Sequence, residues 1–188
     1  MIHRRIRPLA AALALLLAPA TTAAQTPVPE EARAAMAPLG WLAGRWSGEA
    51  THPGPGGAQT LRQTEEVKEA LDGSLLVIEG TGRELGQGEP GAVVFRAFAV
   101  VSAGDAPRSY RVAAWRAGQF VDAAAQIGPD GTFTWGFPTP DGGEVRYAIR
   151  QPEPGLWHET GSYRAPGGDA WRPFLDMSLR RDADPASR

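Results

Sequence analysis

The chain of 188 residues contains no cysteine, which excludes disulfides and thiolate metal sites and leaves stability to a packed core. Histidine is scarce. Beyond His3 only His52 and His158 remain, so a two- or three-histidine metal centre has little to draw on. Lysine is scarcer still: Lys68 is the only one, and the remaining basic residues are arginines set among abundant Ala, Gly and Pro. A GC-rich bacterial genome produces that bias by itself, so it carries no arginine-specific function. Nor is there a basic surplus, since 19 Lys+Arg face 21 Asp+Glu, and a nucleic-acid partner would want a basic face. Several catalytic and binding motifs are missing as well. No G-x-S-x-G elbow supports a hydrolase triad. "GPGG" at Gly54–Gly57 lacks the Lys-Ser/Thr and helix of a phosphate loop and reads as a hairpin at a barrel mouth. "GPDGT" and "TPDGG" hold too few carboxylates for calcium.

What is present begins with an export pattern. Arg4, Arg5 and Arg7 precede an apolar run from Leu9 to Ala18, and small residues follow up to Ala24. The run is shorter than the ~20 residues a membrane-spanning helix needs. Residues 1–24 therefore read as a signal peptide cleaved near Ala24, which would place the protein in the periplasm or outside the cell with no membrane anchor. Loss of the three arginines makes the mature chain more acidic.

After a linker, "PEEARAAM" reads as one short helix over about Glu30 to Met36, stopped by Pro38, so 25–38 is assigned to linker and helix. The helical period then ends. About ten short runs follow, each closed by Gly, Pro or Asp: Trp41–Thr51, Thr60–Leu71, Ser74–Glu84, Ala92–Ser102, Ser109–Arg116, Gln119–Ile127, Thr132–Phe137, Glu144–Gln151, Leu156–Arg164 and Trp171–Arg181. Turns such as "LDGS", "RAGQ" and "TPDGGE" suit hairpins, and no gap accommodates a crossover helix. Ten hairpin-linked strands dispose of their edges most economically by closing, so the fold class is all-β: an antiparallel up-and-down barrel over 39–182, with a β-sandwich as the alternative and a disordered tail over 183–188.

Alternation places Phe133, Trp135 and Phe137 on one face of their strand, and Trp157, Glu159, Gly161 and Tyr163 on one face of theirs, opposite His158. Trp115, Phe133, Trp135, Trp157 and Tyr163 are the expected apolar wall of a lumen, with Glu159 and Arg111 as polar anchors. Barrels of this size enclose room for one small ligand, and such sites are largely aromatic with a few placed polar groups. The leading expectation is binding of a small, partly apolar molecule. The alternative is an enzyme using Glu159 with Asp176 on a lipid- or terpenoid-like substrate. A structural account has each carboxylate paired instead with an arginine such as Arg111 or Arg146. Glu79 and Arg96 interrupt apolar strands and face either solvent or a ligand head group. Apolar residues on both faces of "GAVVFRAFAVV" allow an outer surface covered by a second copy, a homodimer, and a filled barrel serving as an interaction module is the remaining reading.

Gly44-Arg45-Trp46 supplies a Gly-x-Trp on the first strand, and the chain from "PLGWLAGRWSGEA" to "WHETGSYRAPGGDAWRPFLDMSLRR" resembles exported bacterial lipocalin-like domains of the calycin superfamily. Those begin W-L-x-G-x-W and end W-x-E-x-G…W…M-x-L-x-R, matched here by Trp157-His158-Glu159-Thr160-Gly161 and Met177-Ser178-Leu179-Arg180. The resemblance implies that Trp46 plugs one end of the barrel beneath an arginine, Arg180 or Arg181, with Arg180 the one aligned to the motif. More distantly the chain is similar to nitrobindin-type barrels, which hold haem through a histidine near the start of the last strand. Phe174 stands at that position, so no haem and no other cofactor is expected, and His158 would be the only substitute.

Overall fold

The structure, a computed structural model, describes residues 27–54, 56–86 and 91–183; the expected signal peptide and all but Ala183 of the expected tail lie outside them. Helix α1 spans Glu30–Met36, with Glu30 and Glu31 in its first turn where the helix dipole favours acids. A 3-10 segment, Ala37–Leu42, continues from it and delivers Met36, Leu39 and Leu42 to the core. Ten strands follow: β1 Gly44–Gly54, β2 Gly57–Ala70, β3 Leu75–Glu84, β4 Val93–Ala103, β5 Ser109–Arg116, β6 Gln119–Ile127, β7 Phe133–Pro138, β8 Glu144–Arg150, β9 Leu156–Arg164 and β10 Trp171–Arg181. Each pairs antiparallel with its sequence neighbour, and β1 pairs with β10 to close the barrel. The β-sandwich is thereby excluded. The β5–β6 hairpin shows the local chemistry: Ala117 and Gly118 both take positive φ, as a two-residue turn compatible with strand twist requires.

One end of the barrel is shut. Trp46, with no exposed surface, donates its indole N–H to the Leu42 carbonyl at 2.7 Å and so ties the 3-10 segment to the first strand. Trp41, Trp46 and Trp157 meet edge-to-face with ring centroids 5.8–6.2 Å apart. The cation across Trp46 is Arg181, its guanidinium carbon 4.2 Å from the ring centroid, and it also donates to the Trp41 and Ala43 carbonyls. Arg180 is not the plug: it points outward and pairs with Glu153. Strand alternation decides between the two, because Leu179 is buried and its neighbour Arg180 must face the other way. Gly44 is required at this spot, since it has φ +132° and a Cβ there would collide with the Arg181 guanidinium. Above, Tyr110 packs edge-to-face on Phe133 and donates its hydroxyl to the Ala35 carbonyl, fastening α1 to the barrel.

The other end carries the β1–β2, β3–β4, β5–β6, β7–β8 and β9–β10 connections and, among the described residues, is open. The wall is not uniform around it. β6 and β7 are joined only through Ala125–Ile127 and Phe133–Trp135, so the upper half of β6 has no partner on that side.

Candidate functional site

The space above the plug is a cavity of about 930 Å³, near the upper end of the range for small-molecule sites. Its floor is made by Leu42 and Trp157, its walls by inward residues of every strand, and its mouth by His52, Gln59, Glu84, Arg116 and Gln119. Phe133, Trp135 and Phe137 line it from β7 as alternation requires. Trp135 stacks on Tyr147 of β8 at 4.5 Å, and Phe174 of β10 meets the same tyrosine edge-on at 5.6 Å. A register shift in β10 between Pro173 and Leu175 lets both Phe174 and Leu175 reach the lumen.

Of the residues expected to bind a ligand, Phe133, Trp135, Trp157 and Glu159 come together here. Arg111 does not. It alternates with buried Tyr110 and Val112, faces outward and pairs with Asp122 across the β5–β6 ladder. Tyr163 shares the inward parity of Glu159 but sits at the strand end, where its hydroxyl donates to Asp141 in the β7–β8 turn at 2.6 Å, away from the lining. Trp115 reaches only the margin of the cavity. It is 42% exposed and packs in an outer aromatic row between Phe98, at 5.7 Å, and Phe120, at 4.9 Å. The inward residues beside it are Ala97, Ala99 and Ala114, so the wall there is thin. Glu79 and Arg96 are likewise on the exposed outer face.

The expected pair of Glu159 with Asp176 does not form. Asp176 is next to buried Met177 and therefore points outward, where it meets His158 at 3.4 Å. His158 also accepts from Arg150 on that outer face, so it is no axial ligand for a group held in the lumen. The acid whose charge acts on Glu159 is Glu65 on β2, a residue not expected from the sequence. Both are only 9% exposed and both line the cavity. Glu65 accepts from the Gln63 amide at 2.7 Å and Glu159 from the Trp157 indole at 3.3 Å. Gly80 makes the space for Glu65: a Cβ there would lie 2.7 Å from its Oε1.

Among the described residues no arginine forms a salt bridge with either acid: Arg111 and Arg146 face outward, the latter over the Trp171 ring, and Arg116, in the lining, stands over the Phe95 ring. Burial pushes the Glu65 carboxyl up to about 7, opposed in part by the Gln63 hydrogen bond. Burial and then the charge of Glu65 push Glu159 up to about 8. Tyr147 is raised to about 12, chiefly by burial and further by Glu159, so its hydroxyl stays protonated. The lumen thus presents two carboxyls able to give or take a proton near neutrality, inside an aromatic chamber. Among the described residues no group of three or more histidine, aspartate or glutamate side chains could hold a metal ion.

No protein-family model and no curated protein sequence matches the chain. Several solved structures are similar in shape, two of which follow. The crystal structure of Rv2717c from M. tuberculosis gives a TM-score of 0.60 at 13% identity, covering 79% of this chain and 98% of that one. The S-type phycobiliprotein lyase CPES from Guillardia theta gives 0.55 at 12% identity, covering 77% and 90%. At such identities the likeness is one of fold, and the fold this chain shares with them is the calycin-like ten-stranded antiparallel barrel.

Proposed function

We propose that this is an exported protein that holds one small, partly apolar molecule non-covalently in its barrel lumen. The observation that carries the reading is the cavity: about 930 Å³, shut at one end by the tryptophan plug, and walled by Phe133, Trp135, Phe137, Tyr147 and Phe174 with a few polar groups among them. Filling it with water alone would leave that aromatic surface wet, and burying apolar surface is worth ~25 cal/mol per Å² to a ligand that covers it. The order of basic, apolar and small residues over positions 1–24 supports export.

The test uses the mature protein and N-phenyl-1-naphthylamine, a neutral apolar dye that brightens when it leaves water. Saturable brightening is expected, with Trp135→Ala weakening the dye about tenfold or more and Arg111→Ala leaving it unchanged. Absence of brightening, or equal binding by Trp135→Ala, overturns the reading.

A further inference from the structure

Two features of the lumen floor bear on what the occupant must be. The first is that Glu65 and Glu159 enter the cavity from β2 and β9, just above the Trp46 and Trp157 rings: Glu65 is in register with Trp46, and Glu159 follows Trp157 on the inward face of its strand. The second is that each carboxyl uses one oxygen and leaves the other over. Glu65 Oε1 and Glu159 Oε2 receive the hydrogen bonds from Gln63 and Trp157, while Glu65 Oε2 and Glu159 Oε1 have no partner among the described residues. Both residues are nine-tenths buried and line the cavity, so these oxygens face its interior.

Carboxyl oxygens that open onto the cavity with acceptor capacity to spare, and with no basic side chain paired to them, can take a donor or a cation in place of water. The surrounding rings favour the same kind of guest. The π electrons of the aromatic lining, which includes Trp135, Tyr147 and Phe174, favour a cation over an anion. Once ionised, the two carboxyls repel an anionic head group, and the one arginine in the lining, Arg116, stands at the mouth over the Phe95 ring.

We propose that the lumen selects organic bases: an amine or nitrogen heterocycle on an apolar skeleton, its protonated nitrogen donating to Glu65 Oε2 and Glu159 Oε1 while the skeleton lies against Trp135, Tyr147 and Phe174. This rests on the lumen-binding reading and names the ligand class for that site.

The experiment is displacement of N-phenyl-1-naphthylamine by three matched competitors at about pH 9, where both carboxyls are ionised and an alkylamine is still protonated: 4-phenylbutylamine, 4-phenylbutan-1-ol and 4-phenylbutanoate. The amine is expected to displace the dye at about tenfold lower concentration than the alcohol, as a charge-assisted hydrogen bond over a neutral one predicts, with the acid weakest. In Glu65→Gln/Glu159→Gln, read against that variant's own dye affinity, the amine should lose its advantage over the alcohol, with each single Gln variant losing part of it. Equal displacement by amine and alcohol, with the dye bound normally, overturns the base selectivity and leaves lumen binding standing. An amine preference that survives the double substitution overturns the assignment to these two carboxyls. If the dye itself does not bind, lumen binding falls and the base selectivity falls with it.

Discussion

Removing the Arg181 guanidinium takes away the cation over Trp46 and the donors to two carbonyls of the entering segment, whereas removing Arg180 takes away one exposed ion pair. We expect Arg181→Ala to cost about 2 kcal/mol, a fall in Tm of roughly 4–8 °C for a domain of this size. Arg180→Ala should cost less than about 0.5 kcal/mol. Thermal unfolding of the two variants side by side checks this, and equal losses would refute the plug assignment. The lumen carboxyls make a second residue-scale prediction, in the pH dependence of stability. In the unfolded chain Glu65 and Glu159 ionise near their ordinary value of 4.5, but in the folded barrel they hold their protons to about 7 and about 8. Between those limits the folded state binds more protons than the unfolded one, so stability must fall as pH rises from about 4.5 to about 8 and level off above that. The loss should reach a few kcal/mol, and Glu65→Gln/Glu159→Gln should flatten it. Denaturant midpoints of both proteins at pH 5.5 and pH 8.5 measure the difference; parallel curves would show that the carboxyls are not proton-retaining.

The strands themselves were legible because turn residues punctuate them: four of the ten, including Ser109–Arg116 and Leu156–Arg164, have the bounds expected from the turns. Which face each strand turns inward was legible only where aromatic or acidic residues alternate with short polar ones, as in β7 and β9. In β5, "SYRVAAWR", the inward set is Tyr110, Val112 and Ala114, and the larger Trp115 lies outside against Phe98 and Phe120. Size was a misleading guide there. Glu65 escaped notice because "QTEEVKE" reads as a solvated strand. Its one available signal was that in a closed barrel every second residue must face inward, which puts Gln63, Glu65 and Val67 together. The bulge that brings Phe174 into the lumen has no sequence signature beyond Pro173. Because the β6–β7 ladder stops at Ala125 and Trp135, amides of Gln119–Ala124 that face β7 lack strand partners there. Hydrogen exchange should show those amides exchanging orders of magnitude faster than the amides that join β1 to β2, which pair over the whole length of β1. Uniform protection along β6 would contradict the short seam.

At the scale of the molecule, the two ends of the barrel divide the work. The plugged end gathers Met36, Leu39, Leu42, Trp46, Trp157 and Leu179, all 2% exposed or less, and takes its sequence signature from Gly44-x-Trp46. The open end gathers the hairpins and the polar mouth, where variation costs the core little. A vessel sealed at its base also imposes an order on traffic. Whatever occupies the floor entered first and, with Trp41, Trp46 and Trp157 closing the far side, must leave by the way it came. A newcomer cannot push it through. On the proposed lumen binding, exchange of one occupant for another would run at the pace set by the resident's own departure, however concentrated the rival, and the barrel would act as a timer on its cargo as much as a container for it.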